Sequence, residues 1–196
     1  MNRFEYVMVL ISIIIGLGIT HVLLGLGAII DRRADGPPIR IGRAHPVWLA
    51  FVFVWMVQFW WWEFRFSELR SEWPMGLYFF LVAYAVALFL LAVILVPRRW
   101  EAVQDLDVYF LNRRRWFYSL LLGATGLDIV DGWLKGGSQY LIEDLGLGTW
   151  ALWAVHLLAV AVGMRSRRVR THAILAFMAL VLEIVQGFVT LPVLGF

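Results

Sequence analysis

Six long apolar stretches, at residues 6–30, 47–64, 76–96, 116–134, 148–164 and 172–192, take up most of the chain and leave only short polar connections between them. About 20 apolar residues are enough to cross the hydrocarbon of a bilayer as one helix. In hydrocarbon every backbone N–H and C=O has to be paired within the protein, so these stretches read as helices, and the alternating pattern of a β-barrel is absent. With 62% of its 196 residues hydrophobic and 16% charged, the chain has too little polar surface for a water-soluble domain. The expectation is an all-α polytopic transmembrane bundle of about six spans, forming one domain over residues 1–196. The first stretch is too long for the apolar region of a signal peptide and is not followed by a small-x-small cleavage site, so it reads as a retained span.

Charge sets the expected orientation. An even number of spans puts both termini on one side together with the second and fourth loops, and that side holds Arg3, Arg65, Arg70 and Lys135. The other side holds Arg32, Arg33, Arg40 and Arg43 in loop one, Arg98, Arg99, Arg113, Arg114 and Arg115 in loop three, and Arg165, Arg167, Arg168 and Arg170 in loop five. A division of 13 against 4 in short loops places the termini outside the cytoplasm. Lys135 is the single lysine beside 16 arginines, a bias that points to a GC-rich bacterial genome. The expected location is thus a bacterial inner membrane with periplasmic termini. The net charge of +3 is no nucleic-acid signal, and the bilayer itself is the first expected partner.

The tryptophans fit this layout. Trp60, Trp61, Trp62, Trp73, Trp133 and Trp150 fall at one expected interface, and Trp48, Trp100 and Trp116 at the other. Between the third and fourth spans, Trp100, Val103, Leu106 and Phe110 recur at helical spacing among charges. That pattern predicts a short amphipathic helix over 98–113 lying on the cytoplasmic leaflet, with its arginines on anionic lipid.

There are no cysteines, which excludes disulfides, thiolate metal sites and cysteine catalysis. Chemistry is therefore sought among the polar groups inside the spans, where ionisable side chains are costly and usually face the bundle interior. His21, Asp128, Asp131, His156, Glu183 and Gln186 are the candidates for an intramembrane polar path. His156 and Glu183 fall near the midplane, with His21 and Asp128 each roughly 5 Å away on opposite sides by helix rise. His21 shares a face with Gly18 and Gly25, which permit close helix approach. Asp128 shares one with Thr125, Asp131 and Gly132, and Glu183 shares one with Gln186, Gly187 and Thr190. Two accounts stay open: closed structural pairs that set helix register, or a proton or cation path. Haem would need two imidazoles, and His21 with His156 is the in-membrane pair available; otherwise no cofactor or metal is expected.

The string Asp128-Ile129-Val130-Asp131-Gly132 resembles the opening of the DxxDG motif of CDP-alcohol phosphatidyltransferases, which are also small six-span bundles. The resemblance covers this segment alone and implies a two-metal phosphotransfer site. That family continues with Ala-Arg and two further aspartates one turn apart, whereas Lys135, Gly136 and Gly137 follow here. The N-terminal pattern Phe4-Glu5-Tyr6 with Ile13-Ile14-Ile15-Gly16-Leu17-Gly18-Ile19-Thr20-His21 is similar to small bacterial polytopic inner-membrane proteins, a resemblance that implies location and no activity. Gly16-x4-His21-x3-Gly25 in the first span also matches Gly123-x4-Asp128-x3-Gly132 in the fourth, the spacing expected of two halves inverted in the membrane.

Two functions follow as expectations. The first is a small transporter or channel, proton- or cation-linked, acting alone or as a homo-oligomer. The second is a non-catalytic accessory or sensor subunit packed against a partner in a membrane complex. No complete enzyme motif is present, so a non-enzymatic role is expected.

Overall fold

The computed structural model describes residues 3–36, 38–69 and 73–190. Six α-helices follow in order: α1 (Arg3–Asp35), α2 (His45–Leu69), α3 (Met75–Leu95), α4 (Leu106–Gln139), α5 (Gly146–Gly163) and α6 (Val169–Thr190). Arg70 and positions 191–192 of the sixth expected span lie outside the described residues, as do the side chains of Arg3, Arg65 and Thr190. Five helices are long and apolar enough to cross a membrane, over Phe4–Ala34, His45–Phe64, Met75–Leu95, Gly146–Gly163 and Val169–Phe188. The bundle turns large apolar side chains outward, among them Leu24, Ile30, Phe79, Phe177 and Phe188. Water would not tolerate so much contiguous apolar surface, whereas lipid does. α4, at 34 residues, is one residue longer than α1, but its charged and polar residues dilute its hydropathy.

Around the bundle the helices run in the order α1, α3, α4, α5, α6, α2, and α2 also leans inward onto α3 and α4. Small residues let α2 and α3 approach α1 closely, as the sequence implied, with Met56 of α2 and Phe89 of α3 both against Gly18. A Cβ on Gly18 would come within 2.8 Å of the Met56 sulfur, and one on Gly25 within 3.0 Å of both Val96 methyls. The two halves of the chain do not pack alike, because α1 lies against α3 while α4 and α6 make no comparable contact. The Gly-x4-polar-x3-Gly match is therefore not accompanied by a repeated packing arrangement.

The separate amphipathic helix expected over 98–113 is not formed. Trp100–Ala102 make one 3₁₀ turn, and Asp105 then starts α4 by accepting from Val108 N–H at 3.0 Å. Val103, Leu106 and Phe110 are buried, and the same spacing continues through Phe117 and Leu121. The periodicity belongs to the inner face of one long helix that carries on from loop into bundle, which is why it imitated a surface helix. Trp48 is a second correction. It is fully buried in an aromatic cluster, with its ring 4.8 Å from Phe117 and 5.4 Å from Phe51, and so is no interfacial anchor. Trp116 and Trp133 do face outward.

A tight junction holds the arginine-rich end together. Asp107 of α4 accepts from the N–H groups of Arg43, Ala44 and His45 at 2.8 to 2.9 Å, placing an anion on the first turn of α2, where the helix dipole favours it. Gly42 precedes that turn with a φ of +75°, and a Cβ there would collide with the Asp107 carboxylate, so glycine is required twice over.

Candidate functional site: an acidic cavity between α2, α4, α5 and α6

One face of α4 organises the interior. Its polar half carries Thr125, Asp128, Asp131 and Lys135 at steps of three and four, and its other half carries Phe110, Phe117, Tyr118 and Leu121. Residues at these steps share a helix face, and all but the partly buried Asp128 are buried. α4 breaks directly beyond Lys135. Gly136 leaves helical geometry and Gly137 has a φ of +70°, a left-handed conformation that glycine adopts freely. The chain then turns back through Tyr140–Asp144 into α5, which brings Tyr140 and Leu145 over the end of the polar stripe.

These elements enclose a cavity of about 50 Å³, well above the ~15 Å³ that admits a water molecule. Asp128, Asp131, Lys135, Glu183 and Gln186 line it, together with Trp55, Trp62 and Trp153. Lys135 is ion-paired with Asp131, one turn away, and with Glu63 of α2 at 3.3 Å. Asp128 accepts from the Tyr84 hydroxyl and from the Trp153 indole N–H, each at 2.6 Å. Gln186 donates to the Thr149 hydroxyl at 2.7 Å, and Gln58 donates to the Glu183 backbone carbonyl at 3.0 Å. Buried acceptors are nonetheless left over: Glu63 Oε2, Asp131 Oδ1 and Glu183 Oε2 have no hydrogen-bond partner. Such atoms are costly in a low-dielectric interior.

Of the six residues expected to form a polar path, four meet at this cavity: Asp128, Asp131, Glu183 and Gln186. His156 lies one turn further in, with Nδ1 3.3 Å from the Thr125 hydroxyl and its ring held between Phe51 and Trp55 at 5.2 and 5.0 Å. The polar stripe ends there. Beyond it, Trp48, Phe51, Phe117 and Tyr118 close the bundle, and Tyr118 bonds the His172 imidazole at 2.7 Å. His21 is not part of the site. It is on α1, which packs on α2 and α3, while His156 is on α5 between α4 and α6. The two imidazoles thus belong to helices that are not neighbours, so the arrangement does not fit a haem held between them.

The sequence reading passed over Glu63, Lys135, Tyr84, Thr149 and Trp153. Glu63 and Lys135 stand at the ends of apolar stretches and look like interfacial charges, yet both are buried. The signal was present in the Asp131–Lys135 spacing, which is that of a helical ion pair. With Lys135 inside, it no longer counts as a loop charge, and the arginine asymmetry becomes 13 to 3.

Fold and site together define an all-helical, membrane-type bundle with an acidic interior. No protein family, curated protein or solved structure matches the chain. The phosphatidyltransferase likeness of Asp128–Gly132 has no support from the geometry: Asp128 is bound by Tyr84 and Trp153, Asp131 by Lys135, and no metal-ligating set of three acidic or histidine groups occurs among the described residues.

Proposed function

We propose that this chain is a six-span protein of a bacterial inner membrane, with α4 crossing as the fourth span and both termini periplasmic, and that it moves protons or a small cation through the acidic cavity. The observation that carries the reading is a mismatch of charge. Four buried or partly buried carboxyls from three helices share this region with one ammonium: Glu63 and Asp131 pair with Lys135, and Asp128 and Glu183 line the same cavity as that pair. Four carboxyls beside one cation leave the site short of positive charge, which bound protons or a cation would supply. A set of closed structural pairs would not leave three carboxylate oxygens without partners. The aromatic plug beyond His156 makes this an occluded site, so passage requires the helices around Trp48 and Phe51 to move.

The test uses the full chain in proteoliposomes with a pH-sensitive dye inside. An imposed gradient should drive proton movement above that of empty vesicles, and Glu183→Gln should cut it at least tenfold while leaving helix content and elution volume unchanged. Equal flux in that variant, or none from the parent protein, refutes the assignment. A reporter fused at Phe196 that fluoresces only in the cytoplasm should stay dark; fluorescence would overturn the orientation.

A second reading, the accessory or sensor subunit, draws on a different observation. An apolar groove of about 370 Å³ between α2 and α6 is lined by Trp60, Trp61 and Phe188, a surface suited to a helix of a membrane partner. Stoichiometric co-purification from native membranes together with silent proteoliposomes would favour it.

A further inference from the structure

The end of the bundle remote from the acidic cavity carries a second, larger concavity of about 850 Å³, between the end of α3 and the start of α4. Pro97 follows the last turn of α3, and Arg98 and Arg99 come directly after it. Arg113, two turns into α4, faces them across the cleft. Its guanidinium lies 4.0 Å over the ring of Tyr109, and the Tyr109 hydroxyl donates to the Ile94 carbonyl at 3.2 Å. That contact fixes the platform on which Arg113 rests.

Neighbouring arginines are committed to the protein. Arg32 donates to the carbonyls of Trp100 and Val103, and Arg40 pairs with Asp105 at 3.6 Å. Arg98, Arg99 and Arg113 have no ion pair among the described residues, and the carboxylate that lines the cleft with them, Asp105, is engaged by Arg40 and the Val108 N–H, so three guanidiniums share one cleft without an anion of their own. Beside the polar Gln104, Asp105 and Asn112, the cleft has an apolar wall that includes Val96, Pro97 and Val108. It continues onto the outer surface, where Val86 and Leu90 of α3 and Trp116 and Leu122 of α4 are exposed at helical spacing from the cleft.

We infer that this cleft binds the headgroup of an anionic phospholipid, its phosphodiester held by Arg98, Arg99 and Arg113 and its acyl chains lying along the exposed faces of α3 and α4. Guanidinium groups match phosphate oxygens in geometry and charge. The apolar wall selects a lipid over free phosphate, since a soluble anion gains nothing from Val96, Pro97 and Val108. The site is independent of the cavity and of any flux through it.

The test counts bound lipid by native mass spectrometry on the full chain in detergent, titrated with dioleoylphosphatidylglycerol or dioleoylphosphatidylcholine. One basic residue near an anionic membrane surface is worth about fivefold in binding, so a variant with Arg98→Gln, Arg99→Gln and Arg113→Gln should hold phosphatidylglycerol roughly a hundredfold less well. Phosphatidylcholine should bind weakly to both. A variant with Arg165→Gln, Arg167→Gln and Arg168→Gln, which removes the same charge from the loop before α6, should bind like the parent. Val108→Trp fills the apolar wall without changing charge and should weaken lipid retention about tenfold. Equal losses in both arginine variants, or no preference for phosphatidylglycerol, would overturn the site. Competition by millimolar inorganic phosphate with Val108→Trp behaving as the parent would overturn the lipid assignment.

Discussion

Replacing Lys135 by Met keeps the length and apolar stem of the side chain and removes only its charge. Its ammonium is 3.3 Å from Glu63 and also bonded to Asp131, and the three side chains are 3%, 1% and 5% accessible. At 3.3 Å and an effective dielectric constant near 20, each attraction is worth about 5 kcal/mol before desolvation is charged against it. Losing the cation removes both attractions and strands two carboxyls that remain desolvated, for which breaking a buried pair sets an expected loss of about 3–5 kcal/mol. Adding Glu63→Gln and Asp131→Asn to Lys135→Met removes the stranded charges, and at least half of the loss should return, because a neutral hydrogen-bonded cluster needs no counter-ion. Lowering the pH should narrow the deficit of Lys135→Met for the same reason, since protonation neutralises the stranded, buried carboxylates. The measurement is reversible unfolding in bicelles followed by tryptophan fluorescence. A cost below about 1 kcal/mol for Lys135→Met, or a triple variant no more stable than the single one, refutes the view that these three groups act as one charge-compensated unit.

Two further outcomes follow from the packing. Gly25→Leu should destabilise the bundle by about 1–3 kcal/mol through overpacking against Val96, whereas Gly16→Ala, where nothing lies within 4 Å of the new methyl, should be neutral or stabilise by about 0.5–1 kcal/mol; melting temperatures of the two variants in one detergent compare them directly. Asp107→Ala should cost about 2–3 kcal/mol by leaving three N–H groups of the α2 start without an acceptor, and Asp107→Asn less, because an amide oxygen still serves Ala44 and His45. Hydrogen exchange at residues 43–45 should quicken from the parent to Asp107→Asn to Asp107→Ala, and unchanged exchange would show that the cap is not what holds that turn.

The six long helices and their approximate places were legible because length and hydropathy are local properties, set by what a bilayer requires of any chain. So was the close approach at Gly18 and Gly25, since a small residue on a helix face permits it whatever lies opposite. Asp128, Asp131, Glu183 and Gln186 could be named as interior groups from their cost in hydrocarbon alone. Which of them meet was a different matter. Glu63 and Lys135 are 72 positions apart and looked like interfacial charges until the inward lean of α2 and the turn at Gly137 buried them together. Trp48 looked like an interfacial anchor for the same reason, as its depth depends on which helices surround it. His21 and His156 are equally plausible interior histidines in the sequence, and only the order of helices around the bundle separates them. Local sequence determines what each segment must become in lipid. The tertiary structure decides which polar groups share a cavity, because that depends on helix adjacency and rotation, which arise from contacts between residues far apart in the chain.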